Sequence, residues 1–111
     1  MPQWVVIAWD GTDADAPARR MAARPSHLSG IAPLFADGRM REGGAILSDD
    51  GRMIGSVCVV EFPDQAAMEE WLQSDPYVTQ NVWKKFEVYP FRSAKPADSG
   101  AAINSVTSTS K

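Results

Sequence analysis

A chain of 111 residues, 44% of them apolar and four of them tryptophan, suffices for one domain with one hydrophobic core and is too short for two. Eleven basic against fourteen acidic side chains leave a net charge of -3, and an isoelectric point near 5.0 offers no basic surface to a nucleic-acid backbone or an anionic membrane. One cysteine and one histidine exclude an internal disulfide and a Cys/His zinc cluster.

The first residues, MPQW, carry no positively charged leader, and no apolar run reaches membrane length, so the expected setting is the cytoplasm. Residues 3–9 (QWVVIAW) are apolar on both alternating faces and predict a central strand covered on both sides. Residues 10–13 form a turn, and from 14 to 37 the pattern is helical, with Leu28, Ile31, Leu34 and Phe35 at spacings of three and four. Pro25 is expected to open or kink this helix. Pro33 inside it removes a backbone donor at a cost of about 3 kcal/mol unless the helix bends or starts late. Gly38 fits a C-terminal stop.

Residues 39–47 and 52–62 flank Ser48, Asp49, Asp50 and Gly51, whose Asp-Gly pair signals a hairpin. Ile54, Ser56, Cys58, Val60 and Phe62 then share one face, which makes Cys58 a small buried hydrophobe. Gly43-Gly44 reads as a strand bend, since no phosphate-loop pattern surrounds it. Asp64 is the N-cap of a second helix with Ala67, Met68, Trp71 and Leu72 on its apolar stripe. Residues 82–91 alternate as a last strand, with Trp83, Lys85, Glu87, Tyr89 and Phe91 on one face.

The order β-α-β-β-α-β, with both helices on one side, predicts an α+β ferredoxin-like sandwich over residues 1–94. Residues 95–111, rich in Ser, Thr and Ala, read as a polar tail that is loose or docked on a neighbour. The other face of the sheet then carries Trp4 or Trp9 with Trp83, Tyr89 and Phe91. That is too apolar for a soluble monomer and predicts a homodimer in which a second sheet covers it.

His27 is the one side chain able to exchange protons near neutrality without a large shift, and Ile31 and Leu34 place it at the border of the apolar stripe. A histidine packed at the core edge is the plain alternative. Asp75, in Ser74-Asp75-Pro76-Tyr77, reads as an N-cap whose other oxygen can still orient a histidine. Residues 20–28 (RMAARPSHL), Gly38 and Gly44 around the second strand, and residues 74–77 (SDPY) ahead of a strand ending in Pro90-Phe91 resemble the YciI-like family over roughly residues 3–92. The paired Arg-Pro-x-His-Leu and Asp-Pro-Tyr at their mutual separation are the specific part. The resemblance implies a dimeric α+β ferredoxin-like barrel related in architecture to muconolactone isomerases, with His27 and Asp75 as the active-site pair. Two positions depart from the family pattern: Ala45 stands where a proline is usual, and Pro33 interrupts a helix usually kept intact.

A carboxylate bonded to one ring nitrogen fixes the tautomer and stabilises the imidazolium formed when the other nitrogen takes a proton, so His27 would be the base and Asp75 its orienter. With Pro25 opening the helix, His27 would lie in its first turn, where the macrodipole opposes the imidazolium that Asp75 supports. Arg24 and Arg20 either receive a carboxylate or enolate oxygen or remain a solvated basic patch. Tyr77 either donates a hydrogen bond to the substrate or packs against the second helix, and Trp9 is expected to line the cleft. The expected function is a cofactor-independent lyase or isomerase acting on a small, anionic, aromatic or enolic acid, with no metal. The alternative is a non-catalytic metabolite-binding or regulatory homodimer using the same pocket.

Overall fold

Residues 3–9, apolar on both faces, form the interior of the sheet. They lie in β1 (Gln3–Asp10), flanked by β3 (Met53–Glu61) and β4 (Trp83–Phe91), with β2 (Met40–Leu47) at the far edge. The order β2-β3-β1-β4 is antiparallel throughout. The structure, a computed structural model, describes residues 1–94, and the tail expected at 95–111 lies outside them. Three helices, α1 (Ala16–Ala36), α2 (Gln65–Ser74) and the short α3 (Pro76–Thr79), pack on one face. This is the ferredoxin-like α+β sandwich that the order of elements predicts. Trp4, Val6 and Ala8 of β1 meet Ile31 and Leu34 of α1 and Met68 and Leu72 of α2 in one core.

The punctuation behaves as its chemistry requires. Gly38 and Gly51 take positive φ values of 84° and 88°, the first ending α1 and the second turning the β2–β3 hairpin, where the Ser48 N–H donates to the Arg52 carbonyl at 2.8 Å. Asp64 caps α2 by accepting from the Ala67 N–H at 2.9 Å.

Two expectations are corrected. Neither Pro25 nor Pro33 opens α1, which starts at Ala16 and runs through both. Both prolines are exposed, and so are Met21 and Ser29, the residues whose carbonyls lose a partner four positions earlier. All four positions lie on the exposed side of α1, while Ala23, Ile31 and Leu34 on the opposite side stay buried and hold the helix together. The second correction concerns Trp83. The β1–β4 register slips between Trp9 and Asp10, which pair with Lys85 and Trp83. This bulge moves Trp83 to the helix side, where it is buried with Trp4, and leaves Trp9, Tyr89 and Phe91 exposed on the other face.

Cys58 is buried as its alternation predicts, and burial pushes its thiol up to about 12. In mildly alkaline buffer the native protein is therefore expected to react with an aromatic disulfide reagent at least about tenfold more slowly than the urea-unfolded chain. Equal rates would show that the thiol is open to solvent.

Candidate active site

Asp75 ends α2 and begins α3. Its Oδ1 accepts from the Tyr77 N–H at 2.8 Å, the capping bond its place before Pro76 predicts. The same carboxylate, only 3% exposed, faces His27 Nδ1 at 2.9 and 3.0 Å. A carboxylate only accepts, so Nδ1 donates and Nε2 is the nitrogen left to act as base. His27 stacks on Tyr77 with ring centroids 3.9 Å apart and planes inclined by 14°, and the edge of Trp83 closes on it at 6.3 Å. The cap on Asp75, the hydrogen bond to its carboxylate and the stack on Tyr77 together fix the imidazole in one orientation. Because α1 starts at Ala16, His27 lies mid-helix and not in a first turn. The expected opposition from the macrodipole falls away, since that effect is confined to the terminal turns.

His27 lines a cavity of about 170 Å³ between α1 and the β2–β3 edge of the sheet, shared with Arg20, Arg24, Ser56, Tyr77 and Trp83. Its sheet side owes its emptiness to β2. Gly43 pairs with Cys58 and Ala45 with Ser56, so the strand offers no large side chain to fill the space. A Cβ on Gly43 would stand 3.0 Å from Met40 Sδ and 3.3 Å from the Phe35 ring.

The two arginines divide the work. Arg20 is buried, not solvated. Its Nη1 donates to both Asp10 oxygens at 2.9 and 3.0 Å, its Nη2 donates to Ser56 Oγ at 3.0 Å, and its guanidinium lies 4.7 Å from the Tyr77 ring centre. Arg24, half-buried on the same cavity, forms no ion pair among the described residues. It is the cation free to meet an incoming anion. Tyr77 packs between His27 and Arg20, and burial raises its phenol above the ordinary range.

A model of the YCII-related domain family matches residues 3–92. The chain belongs to this family. Among YCII-related proteins, Protein YciI of Escherichia coli is 30% identical over 95 residues, covering 80% of this chain and 95% of its own. Among solved structures, 5-chloro-2-hydroxyhydroquinone dehydrochlorinase from Burkholderia phenoliruptrix AC1100, in complex with 2,5-dihydroxybenzoquinone, is similar with a TM-score of 0.71 at 20% identity, covering 83% of this chain and 95% of that one. Muconolactone isomerase is similar with a TM-score of 0.61 at 16% identity, covering 88% and 94%. These two likenesses are of fold.

Of the residues singled out in this YCII-related sequence, His27, Asp75, Arg20, Arg24 and Tyr77 meet at one place, and Trp9 does not. Trp9 points to the face of the sheet away from the helices and borders a second groove with Gly11 and Arg52, on the other side of Arg20 and Met53, which line both. Sequence reasoning missed Ser56 and Trp83, joined by a Trp83 Nε1 donation to Ser56 Oγ at 3.2 Å. Ser56 had a signal: it is the one hydroxyl on the face shared by Ile54, Cys58, Val60 and Phe62. Trp83 had none, because the bulge that turns it inward leaves no mark in the alternation.

Proposed function

We propose that this YCII-related protein is a cofactor-independent lyase or isomerase in which His27 moves a proton on a small aromatic or enolic acid and Asp75 orients it. The observation that carries the reading is His27 Nδ1 held at 2.9 Å by a buried carboxylate, with the ring on a cavity of about 170 Å³. Nε2 takes a proton from a carbon or hydroxyl next to a carbonyl, Asp75 stabilises the imidazolium, and Arg24 faces the enolate charge that develops. Return of the proton to a neighbouring atom gives an isomer, and its delivery to a leaving group gives elimination. Two proteins of the same fold, the dehydrochlorinase and the muconolactone isomerase, bear names of this chemical class and support the reading. A free buried thiol fits a reducing, cytoplasmic setting.

The test is incubation with a panel of small aromatic and enolic acids in deuterium oxide, followed by mass spectrometry. Wild-type protein is expected to incorporate deuterium or form product with at least one, and His27→Gln to lose this. Activity retained in His27→Gln overturns the assignment of the base. A ligand that binds and is recovered unchanged favours the metabolite-binding alternative.

The working unit in this reading is a homodimer paired through the sheet face opposite the helices. That face carries Val5 and Ile7, with Trp9, Tyr89 and Phe91 exposed by 39%, 48% and 42%. Sedimentation at twice the mass of one chain is expected for the wild type, and at the mass of one chain for Ile7→Lys at micromolar concentration. A monomeric wild type would remove the dimer.

A further inference from the structure

Ser56 lies on β3 at the cavity, 7% exposed. Its Oγ accepts from Arg20 Nη2 at 3.0 Å and from Trp83 Nε1 at 3.2 Å. Neither a guanidinium nor an indole can accept in return. A hydroxyl has two lone pairs and one hydrogen, so both lone pairs are engaged and the hydrogen remains to be donated. No group among the described residues receives it. The Nε–H of Arg20 is in the same condition, buried without a hydrogen-bond partner, and Arg20 lines the same cavity. Folded interiors seldom leave a buried donor without an acceptor, and here each of two residues bonded to one another has such a donor. Neither can turn away. Asp10 holds the far side of the guanidinium, the Tyr77 ring lies beneath it, and Trp83 holds the serine.

We infer that Ser56 Oγ–H and Arg20 Nε–H together seat a charged oxygen of the ligand, a carboxylate, enolate or phenolate oxygen, and that Ser56 selects anionic over neutral compounds. The inference rests on the cavity being the ligand site, as in the proposed function, and adds the residues that read the ligand's charge and the orientation they impose. The anionic oxygen lies against β3, and the atom that gives up its proton faces His27. Arg24 covers the remaining charge. Donors fixed before the ligand arrives need no reorganisation when charge develops on that oxygen.

Calorimetric titration of the whole chain with benzoate, with 2,5-dihydroxybenzoquinone and with benzyl alcohol as the neutral counterpart tests this without any turnover. The wild type is expected to bind both acids at least about tenfold more tightly than the alcohol. Ser56→Ala is expected to weaken the acids about tenfold and leave the alcohol unchanged, and Ser56→Thr to restore the acids. The inference is overturned by equal weakening of all three ligands in Ser56→Ala, which is the mark of a structural role. It is also overturned by undiminished acid binding in that variant, or by a wild type without preference for acids. Since the alanine variant also deprives Arg20 and Trp83 of their acceptor, Ser56→Cys, similar in shape and a weak donor, is read by the same criteria if Ser56→Ala does not fold. Acid-selective binding through Ser56 in a protein that exchanges no proton would end the proton-transfer reading alone. Proton exchange lost in His27→Gln, with acid binding indifferent to Ser56, would end this inference alone.

Discussion

Replacing His27 with alanine is expected to lower turnover on whichever acid of the panel is transformed by about 10²–10⁴-fold, the range a positioned general base supplies. The fold should survive, because Asp75 keeps its bond from the Tyr77 N–H and α1 keeps its buried Ala23, Ile31 and Leu34. The two changes at Asp75 separate charge from architecture. Asp75→Asn retains an oxygen that can cap α3 and accept from His27 Nδ1, so its melting temperature should move little. It has no negative charge to hold the imidazolium, so its rate should fall nearly as far as that of His27→Ala. Asp75→Ala should lose the rate and also about 1 kcal/mol of stability through the missing cap. Steady-state kinetics beside thermal melts of the three variants give the answer. A full rate in Asp75→Asn would mean that the carboxylate only places the helix and that its charge takes no part.

Much of this arrangement is legible in the sequence, and what escapes does so for physical reasons. The apolar run of β1, the Asp50-Gly51 hairpin and the caps at Asp64 and Asp75 are local signals, each set by residues a few positions apart. The His27–Asp75 meeting joins groups 48 positions apart, and a resemblance of motifs brought them together where periodicity did not. Local rules erred where tertiary structure answers them. Pro25 read as an opening or a kink and Pro33 as a costly lost donor because a helix interior ordinarily needs every donor, yet both lie on the exposed side of one continuous helix. Strict alternation in β4 put Trp83 beside Lys85, and one extra residue in the ladder reversed it. That bulge also brings Asp10 opposite Trp83, so the partner of Arg20 and the indole that holds Ser56 owe their places to one irregularity.

The Arg20–Asp10 pair carries the largest expected effect on stability. Both side chains are nearly out of water, 4% and 6% exposed, with N···O at 2.9 Å. Desolvating two charges is costly, and their attraction offsets that cost only while both are present. Arg20→Met leaves the Asp10 carboxylate buried without its cation and Ser56 Oγ without one of its donors. A loss of about 3–5 kcal/mol is expected, a large share of the 5–15 kcal/mol typical of a whole domain. The double variant Arg20→Met, Asp10→Leu removes both charges and should recover most of that loss, since a well-packed apolar pair often matches a buried ion pair. Urea denaturation of the wild type, both single variants and the double variant forms a closed cycle, from which the coupling between the two groups is read directly. A coupling below about 0.5 kcal/mol would show the two side chains to be independent. The double variant should nonetheless bind benzoate poorly, because the Nε–H donor goes with the guanidinium. Stability regained without acid binding would separate the ion pair with Asp10, which holds the end of β1 against α1, from the part this arginine takes in the inferred acid site.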